Sequence, residues 1–100
     1  MRPLVVLPTY DEAANISEVL RRIRVAVPDA HVLVVDDNSP DGTADLAERD
    51  AVGLGQISVL RRPRKSGLGS AYRSGFVQGM AEGFDVLIEM DADLSHDPAA

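Results

Sequence analysis

An open α/β sheet of parallel, Rossmann-like strands with helices on both faces is the fold this sequence predicts, on three observations. Short continuous apolar runs alternate with amphipathic stretches in the order strand, helix, strand, helix, strand, helix, strand. Each connection is long enough for the crossover that parallel neighbours require, and such crossovers are right-handed. Finally, the first, second and fourth strands end in polar or acidic groups: Pro8 to Glu12, Asp36-Asp37 and Asp91 to Asp93. If strands one to three spread one way and the fourth returns beside the first, these ends line one crevice at the switch point.

The elements follow in order. Leu4 to Leu7 is a continuous apolar run closed by Pro8, as a central strand covered on both faces requires. From Asn15 the period changes to Ile16, Val19, Leu20, Ile23 and Val27, a helical stripe, with Asn15 and Glu18 at capping-box spacing. His31 to Val35 is a second strand running into Asp36-Asp37. Asn38-Ser39-Pro40-Asp41-Gly42-Thr43 is dense in turn formers, and Asp41 or Thr43 is placed to cap a short helix marked by Leu46, Ala47 and Ala51. A break at Gly53 and Gly55 precedes a weaker strand from Gln56 to Leu60. Arg61-Arg62-Pro63-Arg64-Lys65 is the only basic cluster, and its loop, running to Gly69, is a candidate phosphate clamp. A helix is expected over Ser70 to Glu82, where Gly75, Gly79 and Gly83 make a bare strip for close packing on the sheet. The fourth strand begins at Val86.

Composition bounds the function. The 100 residues are 45% hydrophobic, enough for one small domain or a piece of a larger one. There is no cysteine, so disulfides and thiolate metal sites are excluded and a cytosolic setting is the expectation. No apolar run approaches the ~20 residues of a membrane span, and no secretory segment opens the chain. A net charge of -6 disfavours a nucleic-acid surface.

The acidic ends carry the chemistry. In extended chain Asp91 and Asp93 project from one face about 6.5 Å apart. Two like charges held there call for a cation, and hard oxygen ligands suit Mg2+ or Mn2+ with substrate phosphates completing the shell. A metal-diphosphate site is one reading; a solvated loop is the other. Asp36-Asp37 reads as one helix-capping acid and one ligand-facing acid, His96 as a loop or outer-sphere group, and His31 as structural. Gly67-x-Gly69 lacks a third glycine at Tyr72 and follows the wrong strand for a dinucleotide fingerprint, and no P-loop occurs.

Four stretches then coincide with a known family: Pro8-Thr9-Tyr10-Asp11-Glu12-Ala13-Ala14-Asn15-Ile16, Val34 to Thr43, Gly67-Leu68-Gly69-Ser70-Ala71-Tyr72, and Met90 to Pro98. Together they resemble the family-2 inverting glycosyltransferases, nearest to the dolichyl- or polyprenyl-phosphate mannose synthases. The resemblance implies a GT-A nucleotide-sugar-binding fold, a GDP-mannose donor, a polyprenyl phosphate acceptor and a divalent metal, Mg2+ or Mn2+. It implies that Pro8, Tyr10, Glu12, Val35 and Asp37 hold the nucleotide. Asp91, Ala92 and Asp93 would hold the diphosphate, with Asp91 and Asp93 the catalytic and metal-binding pair and Ser95 a further metal ligand. Asp11 stands where Asn is common, and Glu89 where the strand is usually apolar. By this resemblance residues 1–100 correspond to the N-terminal, donor-binding half of such an enzyme, incomplete as a fold. The whole enzyme would be cytoplasmic and peripheral at the membrane face, through parts outside this chain. A family-2 transferase using a UDP-sugar, or a non-catalytic nucleotide-sugar-binding fragment, are the alternatives.

Overall fold

The computed structural model describes residues 2–92. Its elements are β1 (Pro3–Thr9), α1 (Ile16–Ala26), β2 (His31–Asp36), α2 (Thr43–Leu54), β3 (Ile57–Arg61), α3 (Leu68–Ala81) and β4 (Val86–Glu89). The four strands form one parallel sheet in the order β3-β2-β1-β4, so the chain reverses direction across the sheet between β1 and β4. This is the predicted order, with the switch point beside β1.

Two cores cover the sheet. Val5, Leu7, Val32 and Val34 face α1 and α2, meeting Ile16, Val19, Leu20, Ile23 and Ala47. Leu4, Val6, Leu33 and Val35 face the other way and meet Ala71 of α3. Alternation along β1 and β2 thus feeds both layers, and both strands read as unbroken apolar runs because neither face is wet. The glycine strip performs as expected: a Cβ on Gly75 would collide with Val6 Cγ1 and stand 3.3 Å from Val35 Cγ2. One on Gly79 would collide with Leu4 Cδ2 and stand 3.3 Å from Leu87 Cδ2. The bare face lets α3 lie directly on β1.

Four local expectations are corrected. Pro8 lies inside β1, opposite Val35, where the sequence places it as the strand's end. Residues of even number in β1 point toward β4, since the Val6 carbonyl accepts the Met90 amide, whereas that of Thr9 accepts Asp37 from the β2 side. β4 ends at Glu89, opposite Val6, so Pro8's missing donor faces no strand and costs no ladder bond. The capping box at α1 is absent: Glu18 turns outward to Arg21 and Arg22, both at 2.9 Å, and the Glu12 carbonyl takes the amides of Asn15 and Ile16 instead. Gly53 lies within α2, and the break falls at Gly55, whose φ of 74° only glycine adopts freely. The third helix begins at Leu68, earlier than expected. Glu89, the polar residue in an otherwise apolar strand, is exposed and disturbs no core.

His31 is structural, as expected. Its Nε2 lies 2.8 Å from Ser58 Oγ and its ring 5.4 Å from that of Phe84. Burial holds its pKa below the ordinary imidazole value, against the pull of Glu82. The neutral ring is therefore favoured by folding. Its contribution to stability is complete above about pH 6.5 and is lost as pH falls through the depressed native value. Replacing His31 with Gln should flatten the decline of urea midpoints between about pH 7 and 5; an unchanged slope would assign that decline to other groups.

The helix–sheet contact makes a paired prediction. Gly79→Ala should lower the unfolding free energy by about 1–3 kcal/mol through overpacking against Leu4. Gly53→Ala, where a Cβ meets nothing within 4 Å, should raise it by about 0.5–1 kcal/mol. Urea denaturation of the two variants checks both signs.

Candidate nucleotide-sugar site

The ends of β1, β2 and β4 open onto one cavity of about 300 Å³. Its wall takes Pro8, Thr9, Tyr10 and Glu12 from the end of β1 and the loop after it, and Asp37 from the end of β2. Lys65, Gly67, Leu68 and Ala71 come from the β3–α3 loop and the start of α3, and Asp91 and Ala92 follow β4. Of the expected nucleotide-sugar residues, Pro8, Tyr10, Glu12, Asp37, Asp91 and Ala92 therefore share one wall. Val35 does not reach it, since its side chain is fully buried beneath α3. Asp93, Ser95 and His96 lie outside the described residues.

The loop after β1 is held by the loop after β2 through three consecutive amides. Asp11 N–H donates to Ser39 Oγ at 2.9 Å, Glu12 N–H to Thr43 Oγ1 at 3.0 Å and Ala13 N–H to Asp41 Oδ2 at 3.0 Å. Each hydroxyl that accepts also donates onward: Ser39 to Asp36 Oδ1 at 2.6 Å, Thr43 to Asp41 Oδ1 at 2.5 Å. Thr43's bond holds the Asp41 carboxyl below the usual carboxylate range, so it stays ionised and accepting. Asp41 also takes the Thr43 amide at 3.1 Å at the start of α2, but the N-cap position expected for Asp41 or Thr43 is occupied by Gly42 in the left-handed conformation. Asp11 and Asn38 have φ of 55° and 58°, a conformation that short polar side chains tolerate.

The acidic pair divides its labour differently from the sequence reading. Neither residue caps a helix. Asp36, 1% exposed, accepts from Thr9 Oγ1 at 2.6 Å and from the amide and hydroxyl of Ser39. It is an internal strut joining β1 to the turn after β2. Asp37 lines the cavity and is gripped by Arg62, Nε to Oδ1 at 2.6 Å and Nη2 to Oδ2 at 3.0 Å. Half of the basic cluster is thus spent on protein carboxylates, because Arg61 pairs with Asp45 at 2.7 Å and with Glu48. Lys65 is the member that lines the cavity, its ammonium 4.5 Å from the centre of the Tyr10 ring.

At the fourth strand, the Tyr72 hydroxyl lies 3.2 Å from Asp91 Oδ1 and 3.3 Å from the Met90 carbonyl, sharing its hydrogen between them. Burial first, then the Asp91 charge and hydrogen bond, push the phenol up to about 12, so it remains a donor. Asp91 presents a carboxylate, held by Tyr72, at the cavity wall. Among the described residues no three His, Cys, Asp or Glu side chains converge to hold a metal unaided. The sequence marks the Arg61 to Gly69 loop as a candidate phosphate clamp, and Lys65, Gly67 and Leu68 of that loop do line the cavity, whereas it gives Thr9 and Ala71 no individual role. The glycines around Leu68 signalled a loop, and nothing signalled which side chain beside it would face inward.

A parallel sheet of this order, with a cavity where its strand ends converge at the switch point, is the arrangement of a GT-A-type fold. Solved structures share it. A Pyrobaculum calidifontis mannosyltransferase in complex with GDP-Man and Mn2+ superposes with a TM-score of 0.81 at 27% identity, over 92% of this chain and 27% of that one. Glucosyl-3-phosphoglycerate synthase from Mycobacterium tuberculosis, with Mn2+, UDP and glucosyl-3-phosphoglycerate, superposes at 0.67 and 28% identity, over 97% of this chain and 36% of that one. The chain belongs to glycosyl transferase family 2, whose family model matches residues 4–100. It is 52% identical over 98 residues to an undecaprenyl-phosphate mannosyltransferase of Micrococcus luteus, covering 98% of this chain and 40% of that protein. It is 48% identical to a polyprenol monophosphomannose synthase of Mycolicibacterium smegmatis, covering 97% of this chain and 37% of that protein. The chain thus spans about two fifths of the length of these curated relatives.

Thr43→Val keeps the side chain's shape and leaves the partly buried Glu12 amide without its acceptor. Unfolding free energy should fall by about 1–3 kcal/mol. Amide exchange at Glu12, measured by NMR, should accelerate, whereas protection in β2 should change only with global stability.

Proposed function

We propose that this chain forms the donor-binding part of a glycosyltransferase that moves mannose from GDP-mannose to a polyprenyl, dolichyl-type, phosphate with inversion. One observation carries the reading: six residues from three separate strand ends, each implicated in nucleotide-sugar binding by motif, line one cavity. The mannose and lipid-phosphate assignments draw on the relatives, two of which are named for polyprenyl-phosphate mannosyl transfer. A lipid-linked acceptor would bring the protein to a membrane surface. Among the described residues no helix is long and apolar enough to cross one.

The residues present fit a divalent cation. Asp91 offers carboxylate oxygen at the cavity wall, and Asp93 and Ser95 follow it in sequence as the further ligands expected. When bound, Mg2+ or Mn2+ would offset charge on the departing diphosphate. The chain's own groups do the rest: Tyr72 orients Asp91, Asp37 presents an acceptor to the nucleotide, and Tyr10 with Lys65 closes the cavity's side. The acceptor oxygen attacks the anomeric carbon opposite the leaving diphosphate. A phosphate monoester has a second pKa near 6 and attacks already ionised, so no general base is required.

Calorimetric titration of GDP-mannose and UDP-glucose, with Mg2+ or Mn2+ and then with chelator, tests the reading. Metal-dependent binding of the guanine nucleotide sugar is expected, and preference for UDP-glucose would move the assignment to a UDP-sugar transferase. Asp91→Asn should weaken metal-dependent binding at least about tenfold, about 1.4 kcal/mol. Equal affinity of the variant with and without metal would remove Asp91 from the site.

A further inference from the structure

Arg62 is not on the cavity wall, yet its guanidinium organises what is. Besides the two bonds to Asp37, its Nη1 donates to Ser70 Oγ and Ser74 Oγ, both at 2.9 Å, on successive turns of α3. Its own amide donates to the Asp36 carbonyl at 2.7 Å. Both charged side chains are nearly covered, 11% exposed for Arg62 and 6% for Asp37. The Ser66 amide adds a third donor to Asp37, on Oδ2 at 3.3 Å. One planar fork therefore joins the end of β2, the β3–α3 loop and α3. The residues it closes into a wall, Lys65 and Gly67, line the cavity together with Asp37.

Resting on the donor-site reading, we propose that Arg62 is a positioning residue for nucleotide-sugar binding, acting through Asp37. Two physical points separate this from a merely structural tie. A buried ion pair is seldom retained for stability, because well-packed apolar side chains of equal volume do as well or better. An apolar pair would fill the space but present no acceptor to the cavity. Second, Arg62 and Ser66 occupy both lone-pair directions of Oδ2 and one of Oδ1, among the described donors. One acceptor direction on Oδ1 remains for a ligand N–H or O–H, and the guanidinium fixes where it points. Lysine cannot substitute, since a single ammonium cannot span two carboxylate oxygens and two serines in a plane.

The test is calorimetric titration of GDP-mannose and UDP-glucose, in the presence of Mn2+, into wild type, R62Q, R62K, S70A/S74A, D37N and D37N/R62Q. R62Q should bind the preferred nucleotide sugar about tenfold or more weakly, R62K should recover only part of that loss, and S70A/S74A should lose about two- to fivefold. In the D37N background R62Q should cost less than about twofold, because the group it positions is already altered. Wild-type affinity in R62Q overturns the proposal. So does an undiminished loss in the D37N background, which would mean that Arg62 acts independently of Asp37. Should R62Q fail to fold, wild-type affinity in both R62K and S70A/S74A overturns it equally. Failure of the donor-site reading looks different: folded wild type then binds neither nucleotide sugar, and the proposal falls with it.

Discussion

Three consecutive amides, Asp11 to Ala13, have no helix or strand to satisfy them, and the structure depends on where they go. For Glu12, whose contact is partly buried, an N–H without an acceptor would cost more than a hydrogen bond contributes. The chain answers with three side chains from the loop after β2, Ser39, Thr43 and Asp41, at sequence separations of 28 and 31 residues. Because Ser39 and Thr43 each accept from one loop and donate to a carboxylate of the other, the two loops polarise each other as one network. Tyr10 and Glu12 are carried on that network to the cavity wall. The cavity's shape therefore belongs to the pairing of two loops rather than to either.

A second constraint acts from the opposite face. Gly75 and Gly79 let α3 lie against Val6 and Leu4 without intervening side chains. That approach brings the helix start, with Leu68 and Ala71, up to the strand ends and places Ser70 and Ser74 where Arg62 reaches them. It also places Tyr72 beside Asp91. Packing far from the cavity thus fixes polar groups at it.

The strand order, the shared crevice and the glycine strip were legible in the sequence because each rests on a local period or on chain connectivity. Pro8 was misplaced as a strand end because the missing strand neighbour that excuses it lies some eighty residues away in β4, by the pairing of Val6 with Glu89. Asn15 and Glu18 had the spacing of a capping box, but spacing is silent on whether two arginines one turn further on will draw Glu18 away. Asn38 to Thr43 read correctly as a turn. That its side chains reach across to another loop was invisible, since no local pattern encodes a partner. Arg62 was hidden among its neighbours for the same reason: four basic side chains in five residues look alike until the fold distributes them.

That distribution bears on the proposed chemistry. Arg61 is turned out to α2, where exposed pairs contribute little, and Arg62 is neutralised by Asp37. The described cavity wall also carries Lys65 and the Asp91 carboxylate. A diphosphate brought into such a wall meets like charge at close range, in a partly desolvated space where repulsion is little screened. On the proposed reading, a nucleotide diphosphate sugar placed beside Asp91 would call for a cation to offset that repulsion. Hard oxygen ligands at its acidic edge select a divalent ion for that role over a further arginine or lysine, because they would bind the ion and the phosphate oxygens would complete its shell. On the proposed reading, the acidity of the strand ends, which at first sight opposes a phosphate ligand, would make donor binding conditional on metal.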